Sequence, residues 1–447
     1  TGVLHLFDTA VGAPVAVRLR QPGQLSMYVC GPTVSGEPHL GHGRFSVTWD
    51  VLRRYMAWSG IDVRLVSNIT DIDDKIIARA AAEGRSTGAV AEHYERVWWD
   101  SMDGLGVQRP TEDPHATAWV PQMVALIGGL VEDGHAYVGG DGVYFSASSV
   151  ADYGLLAHQD LAELRAGARV EVDEGAGKRA PADFVLWKLA KPGEPSWDSP
   201  WGAGRPGWHT ECVVMSLGLL GDGFDVHGGG LDLVFPHHEN ERAQAVAAGH
   251  QFARHWVHSG MVVAFGGEKM SKSLGNVVSL PELLDGYDAR AFRLRVLQAH
   301  YRSPLTVTDG TMADAVSTLR GLDQWAAEMA PARGGAVDRS AVDEFRAWMD
   351  QDLNTPRAVA LLFELGRRAR AGDRAAAATV FELWETALGL PLGRADAEVP
   401  ASVLARVEAR NQARARKDWA ASDALRDVLA AEGWIVEDGP EGTKIHR

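Results

Sequence analysis

Residues 27–44 bring a thiol and two imidazoles into one short stretch of the chain. Residues 27–29 form an apolar run typical of a strand, and the glycines and prolines of residues 31–38 predict a loop after it. A helical pattern then covers residues 41–58. Cys30, His39 and His42 are therefore expected between a strand and a helix N-terminus, which is where an α/β sheet binds phosphate.

The spacing His39-Leu40-Gly41-His42 suits contact with a single phosphate group. Two imidazoles three positions apart on a first helical turn lie on one face, and Gly41 lets a nucleotide approach the backbone closely. Ordinary polar capping of a helix explains the same residues. The motif alone leaves both interpretations open.

A second candidate for phosphate chemistry lies far along the chain, where residues 268–273 read Glu-Lys-Met-Ser-Lys-Ser. Glycines flank this segment on both sides. Two cations, Lys269 and Lys272, on a glycine-flanked loop suit a clamp on a polyphosphate. A solvated basic turn is the alternative.

Together the two loops resemble those of the class I aminoacyl-tRNA synthetases, which carry a His-x-Gly-His loop early and a Lys-Met-Ser-Lys-Ser loop late. Within that class the chain is similar to the cysteinyl-tRNA synthetases, essentially from end to end. The matching segments are Met-Tyr-Val-Cys-Gly-Pro-Thr at 27–33, Asn-Ile-Thr-Asp-Ile-Asp-Asp-Lys at 68–75, Gly-Arg-Pro-Gly-Trp-His-Thr-Glu-Cys at 204–212 and Phe-Pro-His-His-Glu-Asn-Glu at 235–241. Residues 35–37, Ser-Gly-Glu, depart from the Tyr-Asp that is common in the family, which leaves the local shape of the loop open.

The resemblance implies a ligase that activates L-cysteine with ATP and Mg²⁺ to cysteinyl-adenylate. The cysteinyl group then passes to the 3′-terminal ribose of tRNA(Cys). His39, His42, Lys269 and Lys272 would stabilise the charge that develops on the transferring phosphoryl group and on pyrophosphate. The substrate carboxylate is already ionised, so no general base is needed.

The order of the elements predicts an α/β fold. A strand, a helix and a second strand at 61–69 imply a parallel, Rossmann-like sheet with a right-handed crossover. We expect a catalytic domain over residues 1–305, with an insertion at about 110–207 and the lysine-loop region at about 256–305. A strand over 224–234 is expected to break at its three glycines, residues 228–230. An all-α helical bundle at 306–392 and a small C-terminal α/β tail domain at 400–447, closed by a turn at 438–440, would lie along the tRNA.

Thiols, imidazoles and carboxylates also predict a metal site. His237 and Glu241 are four positions apart at a helix start and share a face. Two thiolates, one imidazole and one carboxylate form a ligand set that zinc accepts. The resemblance assigns one zinc ion per chain to Cys30, Cys212, His237 and Glu241. Two thiols of unrelated role and a Cys30–Cys212 disulfide are the alternatives.

Zinc would explain how serine is rejected. A hydrophobic pocket separates near-isosteric substrates by only about 1–3 kcal/mol, whereas zinc binds a soft thiolate far better than a hydroxyl. The short insertion is consistent with the absence of an editing domain. The substrate thiolate would add a fifth ligand or displace the carboxylate of Glu241, and the sequence leaves that choice open.

The resemblance implies further roles around the substrate. Trp208 would close over the amino acid, while Thr70 and Asp232 would hold it, with Asp232 on the α-ammonium group. A core position for Trp208 and a helix cap for Asp232 are the alternatives. His227 is expected on the adenosine side. His209 and His238 are expected either to support the metal ligands or to lie on the phosphate side, and not to be ligands themselves.

Composition limits the partners. The net charge of −15 over 447 residues argues against a protein that coats nucleic acid, although a local basic stripe can still bind tRNA. No apolar run approaches the ~18 residues of a membrane span. With two cysteines and no leader-like segment, we expect a cytoplasmic monomer. The candidate phosphate contacts are Arg357, Arg367, Arg368 and Arg370 in the bundle, and Arg406, Arg410, Arg414, Arg416 and Lys417 in the tail. Trp419 and Trp434 are candidates for stacking on a base, and a place in the core is the alternative.

Two other functions fit parts of the sequence. A related ligase that joins activated cysteine to an amino sugar shares the pocket but lacks the full tail domain. A non-catalytic tRNA-binding paralogue is the second, although every expected catalytic position is filled here.

Overall fold

The computed structural model describes residues 2–160, 163, 177–263, 278–393, 401–431, 434–439 and 442–446. The strands within these residues are β1 (His5–Asp8), β2 (Ala13–Ala16), β3 (Gln24–Val29), β4 (Asp62–Ser67), β5 (Ala136–Val138), β6 (Gly142–Phe145), β7 (Phe184–Leu189), β8 (Gly204–Pro206), β9 (Val226–Gly230), β10 (His255–Ser259), β11 (Val262–Val263), β12 (Leu305–Thr306), β13 (Ile435–Gly439) and β14 (Gly442–His446).

The α-helices of the same residues alternate with strands at first and then follow one another. They are α1 (Leu40–Trp58), α2 (Asp74–Glu83), α3 (Thr87–Gly104), α4 (Val120–Glu132), α5 (Trp208–Leu220), α6 (Glu239–Ala247), α7 (Leu280–Gly286), α8 (Ala289–Leu297), α9 (Asp309–Met329), α10 (Arg339–Asp350), α11 (Thr355–Arg370), α12 (Arg374–Glu382), α13 (Ala401–Ala415) and α14 (Trp419–Ala431).

A four-stranded parallel sheet carries the site. Its order is β10-β9-β3-β4, and the parallel sheet expected from the sequence is confirmed. All residues of β3 after Gln24 are buried and all of these except Ser26 are apolar, as expected for a strand covered on both faces. The helix α1 follows β3 and packs Val47, Val51 and Leu52 into the main core. The carboxyl ends of β3, β4 and β9 therefore meet at one edge.

The expected break at the three glycines is wrong. β9 pairs through Gly228 and Gly229 with β10 on one side, and Gly228 also pairs with β3 on the other. A Cβ on Gly228 would lie 3.0 Å from the ring of Trp49, and one on Gly229 would lie 2.4 Å from the ring of His238. Gly228 and Gly229 are needed because the rings of Trp49 and His238 pack directly onto this strand.

A second, antiparallel sheet of order β5-β6-β7-β8 lies within the predicted insertion. Two of its side chains bind Asp74, the first residue of α2, and this helix follows β4 of the parallel sheet. Lys188 Nζ lies 2.8 Å from Asp74 Oδ2, and the guanidinium of Arg205 also binds this carboxylate.

Beyond β12 the described chain is helical up to the terminal segment, as predicted. The expectation that a turn at 438–440 closes the chain is wrong, because β13 and β14 form an antiparallel hairpin. No helix in the described ranges is long and apolar enough to cross a membrane. Residues 264–277, which include Lys269 and Lys272, lie outside the described residues.

Candidate active site and metal centre

Four side chains from three parts of the chain converge at the edge of the parallel sheet. Cys30 follows β3, Cys212 lies in α5, and His237 and Glu241 flank the start of α6. Their ligand atoms all lie within 4.8 Å of one another. Cys30 Sγ is 3.5 Å from Cys212 Sγ and 3.3 Å from Glu241 Oε1, and His237 Nε2 is 2.9 Å from Glu241 Oε1. The structure thus brings together all four residues of the predicted ligand set.

The two cysteines are free thiols, so the disulfide alternative does not hold in this structure. Their shared cluster with His237 and Glu241 favours a common role over the alternative of two thiols of unrelated role. All four side chains are buried, and Cys30 has the largest exposed fraction at 6%.

The electrostatics of this cluster favour a cation. Burial raises the pKa of Cys30, and the neighbouring Cys212 and Glu241 raise it further. Burial also opposes ionisation of Cys212, but Cys30 and His237 lower its pKa to about 6. His227 and His237 hold the pKa of Glu241 well below its usual value despite burial. Burial opposes charge on His237, yet Glu241 and Cys212 raise its pKa to about 10.

This donor set fits zinc. Among the described residues, His237 Nε2 makes no hydrogen bond of acceptable geometry although Glu241 Oε1 is close. The four ligand atoms thus lie close enough together for one ion to contact all of them. A divalent cation there would take the place of the proton that Cys30 keeps, and would be surrounded by two sulfurs, one nitrogen and one oxygen.

A layer of histidines surrounds the cluster. His227 Nε2 lies 2.7 Å from Glu241 Oε2, and His238 Nε2 lies 3.4 Å from Cys30 Sγ. His238 Nδ1 is 2.7 Å from His258 Nε2, and His209 Nδ1 is 2.9 Å from His237 Nδ1. His209 therefore contacts His237, and His238 contacts Cys30. The ligand atoms of Cys30, His227, His238 and Glu241 also lie within 4.8 Å of one another.

The expected place of His227 on the adenosine side is wrong, because the side chain is fully buried against Glu241. His258, which contacts His238, was not predicted as a site residue from the sequence. Its place depends on strand pairing, since His258 lies opposite Gly229 in the sheet and His227 opposite Tyr28. Spacing along the chain contains no signal for such a contact.

The predicted substrate residues differ in exposure. The indole of Trp208 stacks on the ring of His237, with centroids 3.9 Å apart and planes 20° apart. Trp208 is 38% exposed, so it covers the cluster and does not belong to the core. Asp232 is exposed in the turn after β9, and the residue at the cap position of α6 is His238, so the capping alternative for Asp232 is wrong. Thr70 is buried, and Thr70 Oγ1 lies 3.0 Å from Glu211 Oε2.

The imidazoles of His39 and His42 stack at the N-terminus of α1, with centroids 3.8 Å apart. His39 Nδ1 accepts a hydrogen bond from Gly41 N, and His42 Nδ1 accepts one from His39 N. His39 therefore caps the N-terminus of α1, as the capping alternative predicted. A Cβ on Gly41 would lie 2.8 Å from the ring of His39, which explains the glycine. The helix dipole favours an anion beside these rings.

The candidate phosphate contacts divide by burial. Arg410 is 3% exposed and Arg410 Nη2 lies 2.8 Å from Asp438 Oδ2, so the expectation of a phosphate contact there is wrong. Arg414 also pairs with Asp438. Arg416 and Lys417 are exposed at the end of α13. Trp434 belongs to the core of the tail, whereas Trp419 is 57% exposed.

Two family models and named relatives match this chain in sequence. A family model described as the class I (C) tRNA synthetase catalytic domain matches residues 16–317, and a DALR domain model matches residues 344–392. A protein of Alkalilimnicola ehrlichii named cysteine–tRNA ligase is 46% identical over 470 residues, with 100% of both chains covered. A protein of Laribacter hongkongensis with the same name is 45% identical over 460 residues, again with 100% of both covered.

Solved structures agree in fold at low sequence identity. The Mycobacterium tuberculosis methionyl-tRNA synthetase in complex with methionyl-adenylate has a TM-score of 0.59 at 17% identity, covering 81% of this chain and 89% of that one. The Agrobacterium radiobacter LeuRS in its ternary complex with tRNA has a TM-score of 0.63 at 12% identity, covering 84% and 87%.

Proposed function

The chain belongs to the cysteine–tRNA ligase family of class I aminoacyl-tRNA synthetases, and from this premise we propose that it forms cysteinyl-adenylate from L-cysteine and ATP and transfers cysteine to the 3′-terminal ribose of tRNA(Cys). The observation that carries the proposal is the buried cluster of Cys30, Cys212, His237 and Glu241 at the sheet edge. A pocket that ends in soft ligands suits a substrate whose side chain is a thiol.

The four clustered residues would hold one zinc ion. Zinc bound there would supply a Lewis acid that prefers a thiolate to an alcohol and lowers the pKa of a thiol. His227 and His209 would orient Glu241 and His237 through their hydrogen bonds, as supporting residues do around metal ligands. Serine would then be rejected without an editing step.

The remaining side chains would position the amino acid. Trp208, stacked on His237, would cover the substrate and exclude water. The exposed carboxylate of Asp232 would pair with the α-ammonium group. These contacts would leave the substrate carboxylate directed toward the nucleotide.

Activation would then be an in-line attack of that carboxylate on the α-phosphorus of ATP, with pyrophosphate leaving. His39 and His42 at the N-terminus of α1 would bind the phosphates together with Lys269 and Lys272, and Mg²⁺ would accompany ATP. Transfer would follow by attack of the terminal ribose hydroxyl on the adenylate. The bundle at 306–392 and the tail at 400–447 would contact the tRNA, with Arg416 and Lys417 as phosphate contacts.

A charging assay tests this proposal. The purified protein is mixed with labelled cysteine, ATP, Mg²⁺ and total tRNA, and acid-precipitable label is counted; labelled serine is run in parallel. We expect label from cysteine and none from serine. Cysteine-dependent pyrophosphate exchange without labelled tRNA would support activation but replace tRNA by a small amine such as an amino sugar as the acceptor. Absence of both signals would contradict the proposal.

A further inference from the structure

A buried amide links the metal cluster to the predicted substrate residue. Asn68 follows β4 and is 1% exposed. Its Oδ1 lies 2.9 Å from Gly31 N, 3.0 Å from Tyr28 Oη and 3.7 Å from Cys212 Sγ. Its Nδ2 lies 3.0 Å from Thr70 Oγ1. Asn68 therefore contacts one of the four clustered residues and the neighbour of another.

The orientation of this amide follows from its partners. The backbone N–H of Gly31 can only donate, so the Asn68 atom that faces it must be the oxygen. The other end of the amide is then the NH₂ group, and it donates to Thr70 Oγ1. The direction of the Asn68–Thr70 bond is therefore fixed, with the amide donating and the hydroxyl oxygen accepting.

The hydroxyl of Thr70 is consequently engaged by two neighbouring buried side chains. One of its lone pairs accepts from Asn68, and its hydrogen is donated to Glu211 Oε2 over 3.0 Å. The backbone of Thr70 is also engaged, with its N–H on Pro32 and its C=O on Val34. Thr70 thus offers no donor to a ligand and keeps at most one lone pair.

We propose that Asn68 is a positioning residue for substrate specificity, because it keeps the polar groups of the pocket wall paired with one another. The inference rests on the proposed function. A serine hydroxyl that enters such a pocket loses its hydrogen bonds to water and finds no donor in Thr70 to replace them. A cysteine thiol is a weak donor and acceptor and loses little.

The Asn68→Ala variant tests this inference through pyrophosphate exchange with cysteine and with serine. Without Asn68 both lone pairs of Thr70 become available and its hydroxyl can reorient. We expect kcat/KM for cysteine relative to serine to fall by about tenfold, the value of roughly one hydrogen bond. Adding Thr70→Val to this variant removes the hydroxyl and should restore most of the ratio. An unchanged ratio in Asn68→Ala, or no restoration in the double variant, would overturn the inference.

Two controls separate positioning from general loosening. Ser26→Ala removes a buried hydrogen bond from Ser26 Oγ to Asp225 Oδ2, near the opposite end of β3, and should lower stability without moving the ratio. Zinc content per chain should remain that of the unsubstituted protein in Asn68→Ala. If Asn68→Ala does not fold, Asn68→Asp takes its place, because it keeps an oxygen acceptor for Gly31 N and loses the Nδ2 donor to Thr70; an unchanged ratio in that variant would overturn the inference. An unsubstituted protein that fails to activate cysteine would instead refute the proposed function.

Discussion

Cys30 Sγ lies 3.5 Å from Cys212 Sγ although 182 positions separate the two residues in the chain. The contact exists because β3 ends where α5 begins, at one edge of the parallel sheet. The site is therefore a consequence of the fold and not of a local motif. Any change that disturbs the packing of α5 or α6 against β3 should also disturb the metal centre.

The first prediction concerns metal content. Cys212→Ser or His237→Gln removes a soft or nitrogen ligand from the cluster, and we expect bound zinc to fall from about one per chain to near zero after dialysis against a weak chelator. Elemental analysis with a parallel protein assay measures the ratio. His255→Gln is a matched control, because this buried histidine pairs with Asp8 outside the cluster. Equal zinc in all variants would place the metal elsewhere.

A buried ion pair should contribute strongly to stability. The Asp50 carboxylate binds the guanidinium of Arg293, lies 2.7 Å from Arg54 Nε and accepts from Gln108 N at 2.8 Å. Asp50→Asn leaves the buried cation of Arg293 without its counter-charge, so we expect a loss of about 3–5 kcal/mol in urea unfolding. Glu92→Gln, which breaks an exposed pair with Arg96, should cost less than about 1 kcal/mol. Equal effects would contradict this assignment.

The same carboxylate predicts a pH dependence. Burial opposes its ionisation, but Arg293 and Arg54 hold the pKa of Asp50 below its ordinary value. A folded-state pKa below that of the unfolded chain stabilises the protein above about pH 4 and loses this contribution as the pH falls further. Urea midpoints between pH 7 and pH 3 should therefore decline less steeply on the acid side in Asp50→Asn. Parallel declines would show that other carboxylates govern the acid limb.

Lys272 should act in the transition state. If its cation stabilises the charge on the departing pyrophosphate, Lys272→Ala should lower the rate of adenylate formation by about 100-fold or more and leave cysteine affinity nearly unchanged. Single-turnover kinetics and calorimetry measure the two quantities separately. Loss of both to the same extent would indicate a structural role.

The tail should bind phosphate through its exposed cations. Arg416→Ala should weaken tRNA binding and reduce the slope of log affinity against log salt by about one. Arg410→Ala should instead destabilise the tail, because Arg410 is buried against Asp438. Filter binding over a salt series distinguishes the two effects. An unchanged slope in Arg416→Ala would exclude a phosphate contact.

Local patterns predicted the elements that position the site. The stacked rings of His39 and His42 follow from their spacing on one helical turn, and the strand–loop–helix order placed Cys30 at the sheet edge. The four-residue metal cluster came from the resemblance to a family, since no periodicity joins Cys30 to Cys212. The distances between the four ligand atoms and the burial of their side chains could be obtained only from the structure.

What the sequence could not predict depends on contacts between distant segments. His227 and His258 reach the cluster through the pairing of β9 with β3 and β10. Arg410 looks like its basic neighbours in the chain, and only the packing of the tail buries it against Asp438. The three glycines of β9 look like a break in the sequence because the rings that pack on Gly228 and Gly229, those of Trp49 and His238, belong to other segments of the chain.

X-ray absorption at the zinc edge tests most directly whether the cluster selects the substrate by its sulfur. Spectra of the zinc-loaded protein are recorded alone, with cysteine and with serine. We expect zinc to have two sulfur ligands, from Cys30 and Cys212, in the protein alone. We expect one additional sulfur ligand with cysteine and no change in the sulfur count with serine. A sulfur count that cysteine leaves unchanged would contradict it.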